Sequence, residues 1–269
     1  MADASPPPWL PFGRGSALSP LDAAAALVRE RGSELLPIYV LAVIPLTAAA
    51  WVAIDAVTAE DRSALPLAAG LLAGSLLWRW AWLSVLQQRV QVSLRGRLPT
   101  SLRRRWAGVL GIRLVAATLM TWGLFLFMLP VVGLLLGSFI TPALLEGDQR
   151  TLPTAGQLLR WLGGAVGRVS RVLTAVVVMG LVLLVGVMVL QWFVVMLVLP
   201  SLLGIETTDL ALTMESPVWW MGSVFAVWLM MDFFWTIAAV LVYYDVQAKR
   251  LGSDLHWRLV RLQEGDASS

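Results

Sequence analysis

The polar residues of this chain are gathered into short clusters, and between them lie long, nearly uninterrupted apolar runs. A helix needs about 20 apolar residues to cross a hydrocarbon core roughly 30 Å thick. Five runs are candidates: Leu36–Ile54, Ala64–Leu86, a long block from Val109 to Leu145, Leu173–Leu199 and Trp219–Tyr244. The long block exceeds one untilted crossing and carries no charge after Arg113 until its end. Leu129-Pro130 interrupts it, because Pro lacks an amide donor and disfavours helix in the residue before it. The block therefore reads either as one kinked helix or as a tight hairpin of two.

The basic residues decide between these, since short loops rich in Lys and Arg stay cytoplasmic. With a hairpin, and hence six spans, seventeen of the twenty basic residues fall on one side and Arg62 alone on the other, with Arg79 and Arg113 inside spans. With a single kinked helix the tally is nine against nine. The expectation is an all-α, polytopic membrane helix bundle of an inner (plasma) membrane with both termini cytoplasmic. Its spans cover about 36–54, 64–86, 109–128, 131–145, 173–199 and 219–244. The fourth is short and is expected either to thin the bilayer or to re-enter. Trp51, Trp219 and Trp220 sit at expected outer interfaces, and Trp106 and Trp161 at inner ones.

Between the runs, residues 1–18 are rich in Pro, Ser and Gly and read as a disordered tail. Ser19-Pro20-Leu21-Asp22 has the cap, first-turn Pro and early acid of a helix start, and Gly32 is a natural stop. A short surface helix is expected there, with the first span as its own insertion signal. Residues 87–107 read as a basic connector. Its Arg103, Arg104 and Arg105 suit anionic lipid headgroups, or act as a plain topogenic signal. In residues 154–171, Arg160, Arg168 and Arg171 share one face opposite Leu158, Leu162, Val166 and Val169. That segment reads as a helix in the interface plane, its arginines on headgroups, or equally as a helix packed on the bundle. The expected organisation is one membrane domain, 19–256, followed by a short tail, 257–269.

Composition agrees with a lipid environment. The chain is 58% hydrophobic and 14% charged, against about 25% charged in an average soluble domain. It has no cysteine, which excludes thiol catalysis and Cys-ligated metal sites. Its one histidine, His256, lies beside Trp257 in the tail and reads as a surface residue. No phosphate-binding loop, zinc-protease helix or nucleophile elbow occurs. The basic residues lie on membrane-proximal loops, which argues against nucleic acid. Neither a metal nor a cofactor is expected.

Ionisable groups inside spans are the default functional candidates. Arg113 lies near a span end and is expected to snorkel to the interface. Asp232 lies near the middle of the last span, and the expectation is that it pairs with Arg79, assisted by Gln191. The pair reads either as a structural lock between helices or as part of a proton or ion relay. Gly70/Gly74 and Gly133/Gly137 are four apart, a spacing that suits close helix packing within the chain or dimerisation.

The order of these features, with Phe139-Ile140-Thr141-Pro142-Ala143-Leu144-Leu145-Glu146-Gly147 and Leu241-Val242-Tyr243-Tyr244-Asp245 closing the last span, is familiar. It resembles the bacterial membrane-domain superfamily that includes the membrane portion of some glycerophosphodiester phosphodiesterases. The resemblance runs from about residue 19 to 256 and rests on Pro142, Glu146, Gly147, Tyr243, Tyr244 and Asp245. The Arg-x-Arg-x-Glu-Gly ending usual in that family is here Gln247-Ala248-Lys249-Arg250-Leu251-Gly252. The resemblance implies a membrane module without the phosphodiesterase catalytic domain. Such a module would scaffold or regulate membrane or cytoplasmic protein partners, or organise lipid. The alternatives are a transporter or channel with a polar path near Asp232, and a lipid-acting enzyme built from Glu146, Asp148 and Asp245.

Overall fold

The computed structural model describes residues 19–58, 63–95, 102–122, 129–146, 151–199, 201, 204 and 217–251. These residues form six α-helices: α1 (Ser19–Thr58), α2 (Leu65–Arg95), α3 (Leu102–Trp122), α4 (Leu129–Glu146), α5 (Thr151–Phe193) and α6 (Pro217–Leu251). A π-helical turn, Val194–Val198, closes α5, with the Leu199 N–H reaching back to the Val194 carbonyl. No strand occurs among the described residues. Four helices are long and apolar enough to cross a membrane, through Pro20–Val57, Leu65–Leu94, Gly167–Val198 and Trp219–Gln247. The shorter apolar helix Leu136–Leu145 lies in α4.

α1 begins at Ser19, where the capping signals put a helix start, and it remains helical past Gly32. Instead of stopping it kinks, with Arg31 at φ −123° and ψ 15°. Two residues account for the bend. Gly32 has little helix preference, and the Pro37 ring crowds the carbonyl four residues before it. α2 also outruns its apolar stretch. It continues nine residues past Leu86 to Arg95 and spans about 46 Å at about 1.5 Å per residue. The connector expected from residue 87 therefore begins inside a helix. Similarly, α5 runs without interruption through 154–171 and onward. Its Leu158, Val169 and Val172 are buried, as a helix packed on protein requires. Leu129-Pro130 opens α4, where Pro suits a first turn, and α3 and α4 are two helices packed on each other. The expected disordered tail 1–18 and Gly147 lie outside the described residues.

The described chain divides into two units, residues 1–172 with 236–269, and residues 173–235. In the first, α1 packs on α2, α3 packs on α4, and α2 also touches α3 and α4. Its core gathers where α4 from Phe139 to Leu145 and α6 from Thr236 to Asp245 are buried all round, with the inner face of α2 buried at Leu86 and Val90. The start of α1 buries Ala23, Ala24 and Leu27, an i, i+1, i+4 face as an amphipathic helix presents.

In the second unit, the end of α5 and the start of α6 run antiparallel, because Gly180 lies by Met231 while Gln191 lies by Ser223. A Cβ on Gly180 would meet Met231 Cγ at 3.2 Å. The outer faces of this unit are apolar, with Val182 68% and Val185 62% exposed. Such surface is costly in water and suited to lipid.

Candidate functional site

Two prolines inside helices create the need that the polar residues of the first unit meet. Pro45 in α1 and Pro142 in α4 have no N–H, so the carbonyls of Leu41 and Ser138, four residues earlier, lose their helical donors. Without water, an orphan carbonyl costs several kcal/mol unless a neighbour supplies a donor. α2 supplies both. The Trp78 indole Nε1–H donates to the Leu41 carbonyl at 2.8 Å, and Gln87 Nε2 donates to the Ser138 carbonyl at 2.9 Å.

Gln87 also ties this repair to a buried charge. Arg113 of α3 donates to Gln87 Oε1 at 2.8 Å, to Thr141 Oγ1 at 3.1 Å and to the Trp80 carbonyl at 3.0 Å. The Gln87 amide can sit only one way, since Arg113 only donates and a carbonyl only accepts. Thr141 passes its own proton toward Ser84 Oγ at 3.4 Å, and Ser84 donates to the Trp80 carbonyl at 2.8 Å. One helical turn on, Gln91 Nε2 donates to the Pro142 carbonyl at 3.2 Å and to the Tyr244 hydroxyl at 3.3 Å. Ser84, Gln87 and Gln91 stand three and four residues apart on one face of α2, so a single helix reaches α3, α4 and α6.

Asp245, next to Tyr244, is 1% exposed and meets Arg168 of α5 with Nε 2.8 Å from Oδ2. The N–H is poorly aligned for a hydrogen bond, so this contact is an ion pair first. Removing either partner would leave the other charge buried.

These contacts correct two expectations. Arg113 does not snorkel; it is buried and turned toward α2 and α4, where its acceptors lie. Arg168, grouped with the headgroup arginines, is directed to Asp245. Arg160 and Arg171 are exposed and reach back to the carbonyls of Gly156 and Gly167, four residues earlier. Arg103 is exposed, Arg105 half-buried, and the side chains of Arg104 and Glu146 lie outside the described residues. Arg79 is buried in the first unit. In the second, Asp232 is half-buried and Gln191 accepts a hydrogen bond from Ser223 at 3.2 Å. Gly70 and Gly74 are exposed with no atom near enough to meet a Cβ, whereas a Cβ on Gly137 would stand 3.5 Å from Ala116 Cβ. Of the resemblance positions, Pro142 and Tyr244 enter the buried network, Asp245 forms the ion pair with Arg168, and Tyr243 stacks edge-on against Tyr244 at 5.5 Å.

Sequence reasoning missed Ser84, Gln87, Gln91 and Thr141. The polar 84/87/91 stripe across the end of the Ala64–Leu86 run was the available signal. Chemically, the network spends donors on backbone carbonyls and side-chain oxygens of neighbouring helices, which braces them. Among the described residues no three His, Asp or Glu side chains are grouped to hold a metal ion. No family model, curated protein or solved structure matches the chain significantly.

Proposed function

We propose that this chain is a six-span protein of a bacterial inner membrane, with α3 and α4 forming a Pro-initiated membrane hairpin and both termini in the cytoplasm. It works without catalysis, as a scaffold or regulatory module for protein partners or as an organiser of lipid. The observation that carries this reading is the Arg113–Gln87–Thr141 network, whose polar groups are directed at one another and at backbone carbonyls. A site for turnover needs polar groups aimed at a substrate. The seventeen-to-one distribution of basic residues supports the sidedness. The likeness to the glycerophosphodiester phosphodiesterase membrane domain supports the module reading through Pro142, Tyr244 and Asp245.

A second reading, a transporter or channel, draws on Asp232 and Gln191, two polar side chains in a helix pair whose outer faces are apolar. Purification in mild detergent, with mass spectrometry of bound protein and lipid together, separates the two. A stoichiometric protein or a retained lipid supports the module. A retained small solute, lost in Asp232→Asn, supports transport. Because the chain has no cysteine, single cysteines placed at 62, 100 and 148 report sidedness without background. The six-span arrangement requires position 62 to label from outside and the other two from inside.

A further inference from the structure

The kink at Arg31 opens a cleft of about 430 Å³ between α1 and the last turns of α2. Two cations, Arg31 and Arg89, and one anion, Glu34, line it, with Ser93 beside them. Arg31 Nη1 stands 3.5 Å from Ser93 Oγ, which holds that guanidinium at the rim. Among the described residues, neither Arg89 nor Glu34 has an ion-pair partner. The wall below is apolar, made by Leu35, Ile38 and Val92.

The position of the cleft matters as much as its lining. Arg31 and Glu34 come just before the first apolar run, which starts at Leu36. Arg89 and Ser93 come just after the second, which ends at Leu86. Because α1 and α2 pack together, both sets meet at the same end of their apolar stretches, level with lipid headgroups. Leu36, Val40 and Ile44, exposed on α1 beyond this level, offer surface to acyl chains.

We infer that this cleft binds the headgroup of an ethanolamine-type phospholipid, the arginines on its phosphodiester and Glu34 on its ammonium. The inference rests on the membrane reading above. Guanidinium groups recognise phosphate oxygens by charge-assisted hydrogen bonds. An anionic headgroup would satisfy the arginines and leave Glu34 facing negative charge. A choline headgroup carries the positive charge without an N–H for Glu34 to accept. A primary ammonium meets all three groups at once.

The test uses the full chain in nanodiscs of equimolar phosphatidylethanolamine, phosphatidylglycerol and phosphatidylcholine. Lipid retained after mild delipidation is counted by mass spectrometry. One charge-assisted hydrogen bond corresponds to about tenfold in affinity, so the ethanolamine lipid should be retained about tenfold over the choline lipid. Glu34→Ala, which removes the acceptor, should erase that preference while leaving total retained phospholipid nearly constant. Arg89→Gln, at an exposed position, should lower retention of all three. Equal retention of the three lipids by the unaltered chain, or a preference that survives Glu34→Ala, overturns the inference. A chain extracted without detergent would refute the membrane reading itself; a membrane-integral chain with no ethanolamine preference refutes only the cleft assignment.

Discussion

Replacing Gln87 by Leu tests whether α2 repairs the break that Pro142 makes in α4. The substitution keeps side-chain volume close and removes two bonds, one to the Ser138 carbonyl and one from Arg113. Interhelical hydrogen bonds in membranes average about 0.6 kcal/mol and reach about 1.7. A bond to a buried charge lies toward or above the upper end. Gln87→Leu should therefore cost roughly 2–3 kcal/mol, about 1 of it from the orphaned carbonyl. Pro142→Ala gives residue 142 an N–H that reaches the Ser138 carbonyl within the helix, so that carbonyl no longer needs Gln87. In the Gln87→Leu background, Pro142→Ala should be worth about 1 kcal/mol more than in the native background. Reversible unfolding in mixed micelles, titrated with denaturing detergent, measures all four members of the cycle. Strictly additive effects, with coupling under about 0.3 kcal/mol, would show that Gln87 does not serve the proline break.

Other outcomes follow from the same geometry. Trp78→Phe removes the indole donor to the Leu41 carbonyl and should cost about 1 kcal/mol, recovered in Trp78→Phe/Pro45→Ala; the same unfolding titration reads it. Arg168→Met should destabilise by about 3 kcal/mol by stranding Asp245, and adding Asp245→Leu should restore most of that, seen as loss and return of the thermal midpoint. Arg113→Lys should behave nearly as badly as Arg113→Met, because one ammonium cannot reproduce a planar fork reaching three acceptors; near-native stability of the lysine variant would refute the bracing role. Gly180→Ala should stay within about 1 kcal/mol, since the flexible Met231 can yield a few tenths of an ångström, whereas Gly180→Leu should split the second unit's helix pair and lower the midpoint clearly.

Hydropathy made the helices legible because lipid removes every other way to satisfy the backbone. The start at Ser19 was readable from local chemistry, and the division of the long block at Leu129-Pro130 from that proline together with the arginine distribution, whereas Gly32, expected to stop the helix, only accompanies a bend in it. The buried network was not, for a reason peculiar to membranes. A hydropathy window treats Gln87, Gln91 and Arg113 as signs that a span is ending. Here Gln87 turns inward because Pro142 has freed a carbonyl, while Gln91 and Arg113 meet acceptors on neighbouring helices, and only the packing of the helices reveals those partners. Arg113 turns to acceptors on two adjacent helices. Arg168 looked like its exposed neighbours Arg160 and Arg171 on a helical wheel, and its tie to Asp245 links residues 77 positions apart, beyond any local pattern.

The two proline repairs also impose an order on biosynthesis. The donor for the Leu41 carbonyl lies 37 residues downstream of it, so α1 leaves the ribosome with a gap in its ladder that only a later helix can close. α1 gains by waiting at the insertion machinery and entering lipid together with α2. For the Ser138 carbonyl the order is reversed: Gln87 precedes it by 51 residues and is already in place when α4 arrives. A ribosome stalled before residue 78 should therefore hold α1 at the translocon, and one stalled after α2 should release the pair.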